Sequence, residues 1–327
     1  MYFFKDRHKN TQLTNDTMGL DIGSAMLKWV IFGPGDVYYE LKNYAIAAIP
    51  QCLDYKQVKD VSRMVAIFKR PLLEKTRVKN CVLNIPDHLV CSKWIQIDHS
   101  AYENLDEIIA ILAEQSIPYP LKDLYFDYQR FYPAQQNQDN FKVLLAACRK
   151  EHLDFRLDIV HQANLTPIAV ELSSQAIVRA NYYFYPENRY ENRMFLEVGA
   201  NQLTLLFLDK SKEAVCFNEK LLNTQSKESI LLQIKRCIKR YFLAFPGCSL
   251  NKLFFIGFNR SLLRYLCKKL DGFLALKTQV LNYEQSLKCS YELDKNKLSN
   301  SLSGLFISCG LALSPYLDFS ISMGAYS

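Results

Sequence analysis

This chain of 327 residues contains no long hydrophobic run. No segment reaches the roughly 18 to 20 consecutive apolar residues that a membrane-spanning helix needs. Residues 1–17 are mixed charged and polar without an apolar signal core, and we predict that they form a loose lead-in. We therefore expect any membrane association to come through partners.

Metal-ligand pairs are also absent. The ten cysteines form no Cys-x-x-Cys pair, so a structural zinc site is not expected. Most of them lie in apolar segments, which indicates reduced thiols in the cytoplasm. The net charge of +7 is modest and no nucleic-acid-binding module is recognisable, so we predict no nucleic-acid partner.

What the chain does contain is a globular composition, 49% hydrophobic and 22% charged, with length for about two domains. The stretch Met18–Phe32 reads as a strand, a tight polar turn and a second strand. In the turn, Gly23 lets the backbone approach an anion, and Ser24 and Lys28 supply donors. Asp21 is placed to hold a metal through water or to orient a nucleophile. An ordinary hairpin with a glycine bulge is the alternative, because short glycine motifs have many false positives.

The same pattern returns in the second half of the chain. Residues 194–208 again read as strand, acidic residue, glycine turn and strand, with Glu197 and Gly199 in the turn. Between the two hairpins, residues 87–172 predict the order β-α-β-β-α-β, a compact two-layer unit. Its first helix follows a capping box at residues 100–103.

These motifs resemble a known family. The turn from Asp21 to Lys28 is similar to the first phosphate loop of the actin/Hsp70/FtsA ATPase superfamily. Three further blocks follow in an order that resembles the PilM family, the FtsA-like cytoplasmic proteins of type IV pilus assembly: Ile117-Pro118-Tyr119-Pro120-Leu121, Leu144-Leu145-Ala146-Ala147-Cys148-Arg149-Lys150-Glu151 and Cys309-Gly310-Leu311-Ala312-Leu313. The resemblance extends from about Met18 to Leu313.

The resemblance implies an α/β, actin-like (ribonuclease H-like) duplicated fold. Subdomain 1A would comprise residues 18–86, 173–192 and about 302–327, and an inserted FtsA-type subdomain 1C would comprise residues 87–172. A reduced second domain would occupy residues 193–301. In it, subdomain 2B is largely missing, because residues 221–225 lack the family's glycine pair and lead almost directly into a helix over 224–245.

The resemblance also implies ATP and Mg²⁺ as ligands. The corresponding residues are Asp21, Gly23, Ser24, Lys28, Glu197, Gly199 and Gly257. Three departures argue against tight binding and turnover. Glu197 stands where the family has aspartate, Phe258 replaces a second glycine after Gly257, and the 2B cover of the adenine is missing. We therefore expect a pseudo-ATPase with no catalytic residue, the alternative being an ATPase or sugar kinase of the same superfamily.

The implied function is that of a scaffold. By resemblance, a groove between subdomains 1A and 1C would capture the cytoplasmic N-terminal tail of the inner-membrane protein PilN, linking the alignment complex to pilus motor proteins at the cytoplasmic face of the inner membrane. We place Trp94, Tyr119 and Phe126 near this groove, although core packing explains each of them equally well. The alternative assignment is a related component of a type II secretion system. Separately, we interpret the basic run at residues 235–240 as a solvated helix face.

Overall fold

The computed structural model describes residues 16–35, 38–49, 61–72, 77–98, 104–131, 140–186, 191–209, 214–221, 226–274, 276–291, 293–317 and 323–324. Within these ranges the strands are β1 (Thr17–Ile22), β2 (Met26–Pro34), β3 (Tyr39–Ala48), β4 (Asn80–Ile85), β5 (Val90–Asp98), β6 (Leu124–Phe131), β7 (Asn140–Arg149), β8 (Thr166–Leu172), β9 (Arg193–Val198), β10 (Gln202–Leu208), β11 (Ala214–Lys220), β12 (Lys252–Ile256), β13 (Thr278–Val280) and β14 (Met323–Gly324). The α-helices are α1 (Val61–Leu72), α2 (Leu105–Ser116), α3 (Lys150–Gln162), α4 (Ser173–Phe184), α5 (Lys227–Ala244), α6 (Arg260–Leu274) and α7 (Lys295–Ala312).

Two large sheets repeat one topology. The first has the order β3-β2-β1-β4-β8, and the second has the order β13-β12-β9-β10-β11-β14. In each, a central strand (β1 or β9) pairs antiparallel with the next strand in sequence and parallel with a strand that follows a helix. The internal duplication predicted from the two hairpins is confirmed.

The central strands of the first sheet are buried along nearly their whole length. Every residue of β1 is buried, as are nearly all residues of β2 and β4. Strands covered on both faces read as unbroken apolar runs rather than as alternation. The core of the first sheet continues into the second through the buried Phe195, Leu206 and Phe254, so the two halves share packed surface.

The inserted unit is smaller than predicted. A three-stranded sheet of order β5-β7-β6 packs one face against α2. Strand β8, which sequence analysis assigned to this unit, pairs instead with β4 in the first sheet, and α3 packs mainly on α1 and β8. The predicted β-α-β-β-α-β unit is therefore wrong in its last helix and strand. The capping box at residues 100–103 lies outside the described residues.

The connection after β11 is short. Strand β11 ends at Lys220 and α5 begins at Lys227, with six residues between them. The largely missing subdomain 2B stays a prediction from the sequence.

Helix α7 returns the chain to the first sheet. Its backbone crosses β1 so closely that a Cβ atom at Gly19 would lie 2.0 Å from the carbonyl oxygen of Ser308. At the crossing with α4, a Cβ at Gly310 would lie 1.9 Å from the carbonyl oxygen of Ala176. Residues 323–324, which sequence analysis placed with the first sheet, pair with β11 of the second. The described helices include none long and apolar enough to cross a membrane.

Candidate functional site

Two hairpin turns, each closed by a backbone hydrogen bond from its glycine, define the candidate site. The amide of Gly23 donates to the carbonyl of Met26 (3.0 Å), and the amide of Gly199 donates to the carbonyl of Gln202 (2.9 Å). Asp21 and Glu197 each stand two residues before the turn glycine, in equivalent positions of the two halves. Ser24 is half-buried at the first turn. The predicted pair of loops is therefore present as a structural repeat.

Asp21 is held in a buried polar network. Its carboxylate forms an ion pair with Lys28, directly opposite it in the hairpin, and both side chains are more than nine-tenths buried. Asn84 Nδ2 donates to Asp21 Oδ1 (2.9 Å) and to Ser173 Oγ (3.1 Å). Its Oδ1 accepts from the amide of Ile22 (2.9 Å). Asp21 and Lys28 thus satisfy each other's charge within the protein.

Two of these supporting residues escaped sequence reasoning. Asn84 is a polar residue at the end of an apolar buried strand, and that interruption is the signal that was available. Arg156, on α3, is fully buried and donates to the carbonyl of Ile22 (2.8 Å). Asn84 and Arg156 thus hydrogen-bond both backbone groups of Ile22, at the start of the turn.

The electrostatics of the cleft are dominated by carboxylates. Burial raises the pKa of Glu197 to about 7; the nearby Asp21 and Asp87 carboxylates add to this, and Lys28 opposes it. Burial also raises the pKa of Asp87 to about 6, against hydrogen bonds from Ser174 that lower it. Burial acts to lower the pKa of Lys28, but Asp21 and Glu197 outweigh it and raise that pKa. Asp21 and Glu197 thus both act on Lys28, and Asp87 acts on Glu197. Asp87 is a member of this cluster that the sequence did not reveal.

Phe258 fills the space beside this cluster. Gly257 adopts φ 151°, a conformation suited to glycine, and its amide donates to Ser303 Oγ (3.2 Å). The following Phe258 ring lies against α7, where a Cβ at Gly304 would come within 2.2 Å of it. The ring centroid is also 5.7 Å from Lys28 Nζ. The Phe258 ring therefore lies between the first hairpin and α7. Sequence analysis predicted a ring at this position, where the family has a glycine.

These residues are a poor fit for a nucleotide. Lys28 is engaged by Asp21 and lies beside the Phe258 ring, so it is not directed at a phosphate. Among the described residues, no group of three His, Cys, Asp or Glu side chains could hold a metal ion.

The three predicted groove residues do not share one surface. Trp94 lies opposite Leu144 in the β5–β7 register and packs with it against the core of the first sheet. Phe126 lies opposite Ala147 and packs against the core under α2, on the other face. Tyr119 is 48% exposed, with the Arg149 guanidinium 5.6 Å from its ring. The structure thus places Trp94 on the face of the small sheet that packs toward the first domain, and Phe126, partly buried, on the opposite face under α2. Tyr119 is exposed to solvent.

The family model for the type IV pilus assembly protein PilM matches residues 19–222. The chain belongs to the PilM family. The matched range includes nearly all of the first hairpin, the inserted unit and the second hairpin. Gly257, Phe258 and helix α7, which complete the site, lie beyond it.

Solved structures share the fold. One is a chain of a PilM–PilN type IV pilus biogenesis complex, with 20% identity, a TM-score of 0.80, and coverage of 93% of this chain and 100% of that chain. EutJ, an ethanolamine utilization protein from Carboxydothermus hydrogenoformans, gives 11% identity, a TM-score of 0.52, and coverage of 91% and 89%. The cytoplasmic domain of EpsL, an inner-membrane component of the Vibrio cholerae type II secretion system, gives 10% identity, a TM-score of 0.50, and coverage of 93% and 97%. The actin-like duplicated fold expected for a PilM protein is confirmed.

Proposed function

We propose that this protein is a scaffold of type IV pilus assembly that captures the cytoplasmic N-terminal tail of PilN at the inner face of the inner membrane. The observation that carries the proposal is the similarity to a PilM chain solved with PilN, which extends over that whole chain and includes the inserted unit. On this proposal the tail ties the scaffold to the alignment complex and, through it, to the pilus motor.

The seam between the inserted unit and the first domain is suited to an extended tail. Trp94 and Tyr125 lie on the face of the small sheet that looks toward the first domain. The Tyr125 hydroxyl donates to Asp154 on α3 (3.0 Å), and Lys150 Nζ lies 5.5 Å from its ring. Within the described residues β5 and β6 are the edges of this sheet, and an edge strand offers main-chain hydrogen bonds to an added peptide.

The nucleotide cleft is, on this proposal, a vestige. The Asp21–Lys28 ion pair, the raised pKa of Glu197 and the Phe258 ring all support this interpretation. The alternative, an ATPase or kinase, is favoured by the first hairpin, which keeps Asp21, Gly23, Ser24 and Lys28.

The tail proposal is tested by tryptophan fluorescence. The chain has two tryptophans, and Trp29 is only 1% exposed whereas Trp94 is half-buried near the seam. We expect a synthetic PilN tail peptide to produce a saturable change in emission that Trp94→Phe abolishes and Trp29→Phe retains. A saturable change that survives Trp94→Phe and disappears in Trp29→Phe would place the peptide elsewhere, and no change with any variant would contradict capture at this seam.

The vestigial cleft makes a separate prediction for Phe258→Gly. Removing the ring opens the space between Lys28 and Gly304, so we expect the affinity for Mg-ATP to rise about tenfold, equivalent to about 1.4 kcal/mol. Isothermal calorimetry measures it, and Phe258→Leu, which keeps an apolar plug, is the control. Equal ATP affinity in the wild type and Phe258→Gly would show that the ring does not block the cleft.

A further inference from the structure

The positive charge of the chain is concentrated on two helices. Helices α5 and α6 carry nine basic and two acidic residues, a net charge of +7 that equals the net charge of the whole chain. The basic residues are Lys227, Lys235, Arg236, Lys239, Arg240, Arg260, Arg264, Lys268 and Lys269. The remainder of the chain therefore carries no net charge.

Within the described residues, neither acidic residue of the two helices forms an ion pair; both accept hydrogen bonds instead. Asp271 Oδ1 accepts from the amide of Thr278 (2.6 Å) and from its hydroxyl (2.8 Å). The Glu228 carboxylate accepts from the Tyr265 hydroxyl (3.1 Å). In the described part of the chain, the one ion pair made by a residue of α5 or α6 joins Arg240 to Glu219 (2.5 Å).

Aromatic rings hold four of the lysines along the seam between α5 and α6. Lys235 and Lys239 place Nζ 4.7 and 5.8 Å from the Phe273 ring centroid. Lys227 and Lys269 both place Nζ 6.0 Å from the Tyr265 ring centroid. The two rings are eight residues apart on α6, which is about 12 Å along the axis. These cation–π contacts place four ammonium groups along the seam between the two helices.

Exposed leucines accompany this row. Leu232 is 50% exposed and Leu243 is 82% exposed. Spacings of four, three and four residues place Leu232, Arg236, Lys239 and Leu243 on one face of α5. Between α5 and α6 an open apolar groove of about 430 Å³ is lined by Ile238, Phe242, Phe273 and Leu274, with Lys239 and Leu243 at its edge. A solvated helix face, which is how sequence analysis interprets the basic run, does not need leucines at both ends.

We propose that this α5–α6 face docks directly on an anionic lipid bilayer. Spread-out lysines and arginines match the negative charge of acidic headgroups, and protruding leucines can enter the interface between headgroups and acyl chains. An acidic protein segment would use the groove but would leave Leu232 and the outer basic residues without a role, so the bilayer accounts for more of the surface. This proposal does not depend on tail capture. It adds a weak, direct attachment to the membrane to the attachment that PilN would provide.

The test is cosedimentation of the full chain with vesicles of phosphatidylcholine containing about 30% phosphatidylglycerol, against pure phosphatidylcholine. We expect binding to the anionic vesicles alone, weakened at least tenfold by a rise in salt from about 50 to 300 mM because the headgroup attraction is screened. K235E/K239E should lower the partition coefficient at least tenfold, and Leu243→Ser should lower it several-fold. The matched control K122E/K142E makes the same charge change at exposed positions of the inserted unit and should retain most of the binding.

Two results would overturn the proposal. One is the absence of cosedimentation at low salt, as expected if the face serves an acidic protein segment instead. The other is an equal loss in K235E/K239E and K122E/K142E, which would mean that total charge alone decides the binding. Circular dichroism of each variant shows that it is folded. The Trp94 response of K235E/K239E to the PilN tail peptide separates a failure of this proposal from a failure of tail capture.

Discussion

Replacing Arg179 by methionine is expected to lower the free energy of unfolding by about 3–5 kcal/mol, the usual cost of breaking a buried ion pair from one side. Arg179, on α4, donates to both carboxylate oxygens of Glu171 on β8 (2.5 and 3.2 Å). It also donates to the carbonyl of Gly310 on α7 (3.0 Å). Ser314 Oγ donates to the same carboxylate. The pair therefore joins the first sheet to the two helices that cover it, and methionine would leave the Glu171 carboxylate buried without its guanidinium.

Chemical denaturation followed by circular dichroism measures this effect. Arg240→Met is the matched control, because Arg240 forms an exposed pair with Glu219 and exposed pairs contribute less than about 1 kcal/mol. The double variant R179M/E171L, which replaces both charges by apolar groups, should recover at least half of the loss. A loss of under 1 kcal/mol in Arg179→Met would contradict the role given to this pair in holding α7 on the first sheet.

Replacing Glu197 by glutamine is expected to flatten the pH dependence of stability. The folded protein holds the pKa of Glu197 at about 7 because burial disfavours the charged carboxylate, whereas an unfolded glutamate titrates near 4.3. Between those values the folded state binds more protons than the unfolded state, so wild-type stability falls as pH rises. One pKa unit is equivalent to about 1.4 kcal/mol; discounted for the partial exposure of Glu197, we expect the wild type to lose about 2 kcal/mol more than Glu197→Gln between pH 4.5 and 8.

The measurement is urea denaturation at several pH values on both proteins. The control is Glu114→Gln, which removes an exposed carboxyl of α2 and should leave the wild-type profile unchanged. Asp21, Lys28 and Asp87 are present in both proteins, so the difference between the two profiles reports Glu197 together with its interactions with these neighbours. Parallel profiles for the wild type and Glu197→Gln would show that Glu197 is not in a desolvating environment.

Most helices and strands were predictable from the sequence, because apolar periodicity and turn-forming residues determine them over only a few neighbouring residues. The two hairpins, the long helix α5 and the short connection after β11 are all visible in the sequence. Strand β8 was misassigned for a physical reason. A buried parallel strand looks the same whichever sheet it joins, and the partner that decides the matter, β4, lies about eighty residues earlier.

The candidate site was predicted only in part. The hairpin residues follow from a recognisable turn, but Asn84, Asp87 and Arg156 reach the cleft through the tertiary fold. Phe258 was predicted to intrude, yet only the structure shows its ring against Gly304. Trp94 and Phe126 alternate to opposite faces of one small sheet, a separation that depends on the register of β5 and β6 on β7.

The central claim is that the protein captures a partner tail without help from nucleotide. Its most direct test is a calorimetric titration of the purified full chain with the N-terminal tail peptide of the cognate PilN, with and without Mg-ATP. We predict saturable one-to-one binding whose affinity agrees within about twofold in the two conditions. Binding that requires Mg-ATP would contradict the vestigial cleft, and an absence of binding in both conditions would contradict tail capture.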